Sequence, residues 1–141
     1  PFGYGLSYAE FEYANARVTV DEEKENIHVR VAVTNTSAVP AEEITQVYIK
    51  VCDSPLAVPN YSLVQFGRNA FEAGETKEIE LDFPAERLRV VDEEGKYVWE
   101  NAKVYLYVGG SQPDERSCAL TGHRVLRVEL FMTEERGVLQ V

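Results

Sequence analysis

The sequence is poor in the residues that build staples, metal sites and redox centres. Among 141 residues there are two cysteines, two histidines, one methionine and one tryptophan. Cys52 and Cys118 can pair, but two cysteines are not a disulfide framework, and reduced, buried thiols are the expectation. Neither His28 nor His123 has a cysteine or second histidine at zinc-like spacing, so neither metal nor cofactor is expected. Basic residues are the next shortage. Fourteen Lys and Arg face 24 Asp and Glu, and the resulting net charge of −10 argues against nucleic acid or an anionic membrane as partner. No apolar run approaches the roughly 18–20 residues of a membrane-spanning helix. No basic-then-apolar start marks a signal peptide within these residues. Helical periodicity is scarce as well.

Strand periodicity is abundant. Ile27, Val29, Val31 and Val33 alternate with His28, Arg30, Ala32 and Thr34, the pattern of a half-buried strand. Ile79, Leu81 and Phe83 alternate in the same way with Glu78, Glu80 and Asp82. Val104, Leu106 and Val108 alternate with Tyr105 and Tyr107, predicting an aliphatic inner face and a partly covered aromatic one. Val47, Ile49 and Val51 form another apolar set beside Gln46, Tyr48 and Lys50. Weaker strands are predicted over 11–20, 63–66, 88–91 and 97–99, and a last one through 118–120 and 126–130. Turn chemistry separates the runs: Asn35 to Pro40, Ala73-Gly74-Glu75, and Asp92-Glu93-Glu94-Gly95 with Gly95 in the left-handed position. Pro84 suits the start of a single helical turn through Leu88. About seven to nine short strands without a long helix predict an all-β, immunoglobulin-like antiparallel β-sandwich.

Chemistry is harder to find. Hydrolysis by a carboxylate pair needs two carboxyl groups about 5–5.5 Å apart. Most acids here occupy the polar sides of strands or loops, where charged side chains ordinarily stay solvated. Asp92 to Gly95 does not fit a calcium loop. The serines lack a nucleophile elbow, and Gly109-Gly110 opens no helix for a phosphate. Asn35-Thr36-Ser37 and Asn60-Tyr61-Ser62 match the glycosylation acceptor pattern, which is common by chance. No catalytic residue is identified. Tyr48, Tyr61, Tyr97, Trp99, Tyr105 and Tyr107 are a different matter. Aromatic rings can stack on sugar faces, so a carbohydrate-binding module with a platform at Tyr97 and Trp99 stands as the alternative to a role in covering the core or meeting a neighbour.

The opening Pro1-Phe2-Gly3-Tyr4-Gly5-Leu6-Ser7-Tyr8 fits neither helix nor paired strand. It resembles the signature that joins the α/β sandwich domain of glycoside hydrolase family 3 enzymes, the β-glucosidase family, to a C-terminal fibronectin type III-like domain. Phe11-Glu12-Tyr13, the run from Val31 to Thr36, Gln46-Val47-Tyr48-Ile49, Ala73-Gly74-Glu75-Thr76 and Val108-Gly109-Gly110-Ser111 are similar, in order, to successive strands and turns of that domain. There are departures. Tyr61, Ser62 and Gln65 stand where the family tends to place a lysine–glutamate pair and a glycine, Asn101-Ala102 replaces proline–glycine, and Tyr97 replaces tryptophan.

The resemblance implies a fragment of a longer glycosidase: residues 1–10 a stub of the preceding α/β domain, 11–130 the fibronectin type III-like sandwich, and 131–141 a tail or extra edge element. A start at Pro1 without methionine agrees with that expectation. The resemblance places the family's nucleophile in a barrel domain and its acid/base residue in or near the α/β domain, so no residue here inherits catalysis. It implies a parent that hydrolyses β-linked sugars with retention, and partners that are the barrel and α/β domains of the same polypeptide. Phe2, Tyr4, Leu6 and Tyr8 are expected to carry the docking, with Tyr61 and Phe66 in support. Exposed, the octet is expected to be poorly ordered or pinned against another copy of the chain.

Overall fold

A computed structural model describes residues 10–21, 23, 25–52, 61–110, 125–133 and 137–140. Ten strands run through them: β1 (Phe11–Val20), β2 (Asn26–Asn35), β3 (Ala41–Cys52), β4 (Ser62–Phe71), β5 (Thr76–Pro84), β6 (Val90–Val91), β7 (Tyr97–Val98), β8 (Ala102–Gly109), β9 (Val125–Thr133) and β10 (Gly137–Gln140). They form a three-stranded sheet in the order β1-β2-β5, a five-stranded sheet β10-β9-β8-β3-β4, and a small β6-β7 hairpin. Every pairing is antiparallel. The expected β-sandwich is present.

The alternating side chains explain the layers. Ile27, Val29, Val31 and Val33 of β2 are at most 1% exposed and meet Val104, Leu106 and Val108 of β8, each fully buried. Phe83, Leu88, Leu130 and Val47 complete the largest fully buried apolar side chains. At about 1.5–3 kcal/mol per large apolar side chain, this shared core is the main driving force for stacking the two sheets. Phe11 and Phe71 close one end edge to face, with ring centroids 5.2 Å apart.

Two strands depart from simple alternation. In β1, Phe11 and Tyr13 point inward, yet so does Val18. One residue is accommodated by a bulge between Ala14 and Arg17, where Asn15 takes a positive φ of 56°. Asparagine tolerates that left-handed conformation better than other non-glycine residues. In β3, Gln46 and Tyr48 lie on the outer face, out of phase with Val47 and Ile49, yet are 1% and 7% exposed. Side chains on the flanking strands cover them: Tyr48 lies beside Leu63 and Tyr107, and Gln46 beside Phe66. The Gln46 amide donates to the Gly110 carbonyl (3.2 Å), and the Tyr48 hydroxyl donates to Gln46 Oε1 (2.7 Å).

The connections follow their turn chemistry. Pro84 precedes a short 3₁₀ turn, Ala85–Leu88, so Leu88 belongs to that turn rather than to the predicted strand. Gly74 and Gly95 adopt the left-handed conformation. The Asp92 carboxylate accepts the Glu94 and Lys96 amides, each at 2.9 Å, to shape the β6-β7 loop. Strand β9 continues to Thr133, and β10 pairs along it as the outermost strand of the larger sheet. The predicted strand residues 118–120 lie outside the described residues.

Asn35 ends β2 with no exposed surface. Its amide donates to the Val39 carbonyl (2.9 Å) and the Glu72 carbonyl (3.2 Å), while Oδ1 accepts from the Ser37 amide (3.0 Å) and hydroxyl (2.7 Å). Its backbone amide donates to Glu75, and that of Thr36 to Glu10. A side chain committed in this way is no glycan acceptor; Asn60, the other acceptor match, lies outside the described residues. Asn35→Ala leaves buried carbonyls without their donor and should lower stability by about 1–3 kcal/mol in urea unfolding. A change within 0.3 kcal/mol, on the order of experimental error, would show that the network is dispensable.

Candidate functional site

Three groups of side chains have geometry suited to function: a buried acid, an exposed charge ladder, and the aromatic outer face of the five-stranded sheet. Glu43 lies on the inner face of β3 and is 6% exposed. The Tyr13 hydroxyl donates to its Oε2 at 2.8 Å and sits 3.3 Å from Thr45 Oγ1. Burial pushes the Glu43 carboxyl up to about 7, although the bond from Tyr13 and the Ile44 amide pull the other way. Burial, then the neighbouring Glu43 charge, raises the Tyr13 phenol far above its ordinary range. Glu43 is an exception to the solvated placement expected for most of the acids. Its sign in the sequence is parity: Glu43 and Thr45 share the phase of Val47 and Ile49.

On the outer face of the three-stranded sheet, Glu78, Glu80 and Asp82 do occupy the solvent side as expected, with side chains 55%, 50% and 48% exposed. His28 Nδ1 is 2.9 Å from Asp82 Oδ1, Arg30 is 3.7 Å from Glu80, and Arg17 is 3.6 Å from Glu78. His28, Glu80 and Asp82 bring three donor atoms within 4.8 Å of one another, a grouping that sequence spacing alone did not reveal. It arises from register, because His28 lies opposite Asp82 and Arg30 opposite Glu80. Arg30 competes for the Glu80 carboxylate, and the whole reads as a cross-strand ladder of alternating charge.

The outer face of the five-stranded sheet is aromatic. Strand pairing sets Tyr48 beside Tyr107 and Leu63, Lys50 beside Tyr105, and Gln46 beside Phe66. Tyr61 meets Tyr107 edge to face at 5.3 Å, and Tyr105 lies 6.3 Å from Tyr107. Phe66 is 59% exposed, Leu63 38% and Tyr61 36%. Lys50 stands 5.2 Å from the Tyr61 ring centre, Arg127 4.5 Å from that of Tyr105, and Lys103 6.0 Å from the same ring. Burial first, then Tyr61, raises the Tyr107 phenol, against the pull of Arg127. The sequence reading had marked these rings; it had not marked the three cations that sit on them.

Of the expected docking residues, Tyr61 and Phe66 share this face. Phe2, Tyr4, Leu6 and Tyr8 lie outside the described residues. Tyr97 and Trp99 have different surroundings. Tyr97 is 65% exposed with Arg89 5.3 Å from its ring centre, whereas Trp99 packs half-buried against the core. Trp99 also lines an open cleft of about 410 Å³ with Asn26, Glu25, Pro84, Glu86 and Arg89. Cys52 is a half-buried free thiol, and Cys118 lies outside the described residues.

Residues 43–112 match the family model described as a fibronectin type III-like domain. The crystal structure of the Bifidobacterium adolescentis GH3 beta-glucosidase superposes on 91% of this chain with a TM-score of 0.70 and 31% identity, using 18% of that enzyme. This chain is a fibronectin type III-like domain of glycoside hydrolase family 3. The domain is also 32% identical over 119 residues to beta-glucosidase BoGH3A of Bacteroides ovatus, covering 82% of this chain and 16% of that protein. It is 40% identical over 82 residues to an exo-alpha-(1->6)-L-arabinopyranosidase of Bifidobacterium longum, covering 58% of this chain and 11% of that protein. It therefore spans less than a fifth of the length of each of these relatives.

Glu43 gives the domain a pH dependence of defined sign. Its folded value of about 7 exceeds the ordinary 4.5, so the folded state holds a proton that the unfolded state releases. That stability is fully present below pH 4.5 and is lost as pH rises through 7. The difference is on the order of 3 kcal/mol by pH 8. Glu43→Gln, which keeps an acceptor for Tyr13, should flatten the dependence and stabilise the domain at pH 8. Urea unfolding of both proteins at pH 5 and pH 8 checks this, and parallel pH profiles would refute it.

Proposed function

We propose that the domain is the non-catalytic accessory unit at the C-terminal side of a larger family 3 glycosidase, packing on the barrel and α/β domains and stabilising them. The observation that carries this reading is proportion. A two-sheet sandwich with its own core corresponds to 18% of a GH3 beta-glucosidase chain and 16% of a second beta-glucosidase. The local chemistry supports it: the described acids on the three-stranded sheet form a solvated ladder, and Glu43 is enclosed between sheets where no sugar can reach it. On this reading residues 1–10 are the stub of the preceding domain and 11–130 the sandwich. Residues 131–141 contribute an extra edge strand, β10, supported by its pairing with β9. The parent hydrolyses terminal β-linked sugars with retention through its other domains.

The alternative is a sugar-binding sandwich. It is favoured by the Trp99 cleft, which combines an aromatic wall with amide, carboxylate and guanidinium groups. Titration with soluble β-glucan separates the two. Saturable binding abolished by Trp99→Ala would establish the carbohydrate module.

The accessory reading is tested in the full-length polypeptide. Excising residues 11–140 should lower its melting temperature by about 5 °C or more. The chain by itself should not turn over aryl-β-glucosides. Unchanged stability after excision would refute the accessory role, as would turnover by the pure chain that one Asp or Glu substitution removes.

A further inference from the structure

The distribution of cations over the domain is uneven in a way its acidity does not explain. With 24 acidic residues against 14 basic ones, carboxylates are in excess. Arg17, Arg30, Arg68, Arg89 and Lys96 all stand within 4.0 Å of a carboxylate. Arg87 and Lys77 donate instead to the Leu63 and Ala70 carbonyls, with Lys77 over the Phe71 ring. Lys50, Lys103 and Arg127 gather on one face. Among the described residues none of the three is within ion-pair distance of a carboxylate, although Glu129 occupies the same face opposite Tyr105. Each rests on a tyrosine ring instead. A cation over an aromatic face gains electrostatic attraction while its outward side stays open to an anion. Arg127 adds a planar fork suited to a carboxylate, already oriented by its ring. The rings also restrict these long side chains before any partner arrives, which lessens the ordering cost of association.

We propose that this tyrosine-seated cation triad, with Phe66 and Leu63 as its apolar flank, docks the domain on a carboxylate-bearing surface of the remainder of its own polypeptide. This rests on the accessory-domain reading and names the face and the chemistry of its partner. Two observations select that occupant. More than four-fifths of each related glycosidase lies outside the stretch this chain matches, so a large neighbour in the same polypeptide is the partner nearest at hand. The face is the place on an acidic domain where unpaired positive charge gathers over exposed aromatic surface, the composition of an interface anchor. An ion pair closed over tyrosine rings and shielded from water is screened less by salt than the solvated ladder on the opposite sheet.

The test uses the full-length polypeptide and three forms of it. In the first, Lys50→Gln, Lys103→Gln and Arg127→Gln remove the charges and keep the rings. In the second, Arg17→Gln and Arg30→Gln do the same on the opposite sheet. The third lacks residues 11–140. Calorimetry should show that the triad variant melts about 3 °C or more below the parent. Its domain should melt as a separate transition and be released by brief proteolysis, while the opposite-sheet variant keeps the parent profile. If excision destabilises the polypeptide but the triad and opposite-sheet variants melt alike, the assignment of this face is wrong and the accessory role stands. If excision changes nothing, the accessory role itself fails and takes this proposal with it. Saturable binding of polygalacturonate by the full-length protein, lost in the triad variant, would identify the face as an acidic-polysaccharide site and overturn the proposal.

Discussion

The fold depends on getting the chain across between its two sheets, and one buried amide governs two of the three crossings. The polypeptide leaves the three-stranded sheet after β2, enters the five-stranded sheet at β3, and returns after β4 to β5. Asn35 stands at the first crossing, and its side chain reaches the second through the Glu72 carbonyl. The Thr36 amide adds the start of β1 through Glu10. Irregular backbone at the end of a sandwich is where polar groups risk burial without partners. Here a single side chain with two donors and an acceptor meets that demand for several segments at once. The sheets can then approach closely enough for the aliphatic core to form.

That closeness determines what the rest of the sequence can do. With Val, Ile and Leu filling the space between sheets, Glu43, Tyr13 and Thr45 must satisfy one another inside it. The remaining charges are sorted by face. On the three-stranded sheet, acids and bases alternate across strands and largely neutralise one another. On the five-stranded sheet, Arg68 pairs with Glu42, while Lys50, Lys103 and Arg127 lie on tyrosines. The domain therefore presents a self-contained polar side and a side where three cations lack a carboxylate among the described residues, although its overall charge is strongly negative.

Much of this architecture could be read from the chain. Period-two alternation located β2, β5 and β8, because each has one face inward and one outward. Glycine and proline marked the turns, including the left-handed Gly74 and Gly95. The failures have a common cause. The burial of Gln46 and Tyr48 was not legible because alternation along β3 does not show which side chains of β4 and β8 lie over them. The strand predicted from Leu88 begins only at Val90, because Leu88 closes the turn that Pro84 starts. The His28 ladder and the tyrosine-seated cations depend on which residues lie opposite across strands. Register supplies that information, and no spacing along the chain contains it. Tyr61 and Phe66 were singled out from a departure in a motif, and the structure sets both on the aromatic face.

The bulge at Asn15 has a consequence beyond restoring Val18 to the core. β1 and β5 are the two outer strands of the smaller sheet, and each carries a row of backbone groups that another molecule's strand could pair with. Along β1 the extra residue breaks the regular spacing of those groups and bends the strand. Along β5 the succession of Lys77, Glu78, Glu80 and Asp82 makes stacking a like strand electrostatically costly. Neither border offers a clean template for growth. The smaller sheet thus resists at its own borders the strand addition that the same alternation invites.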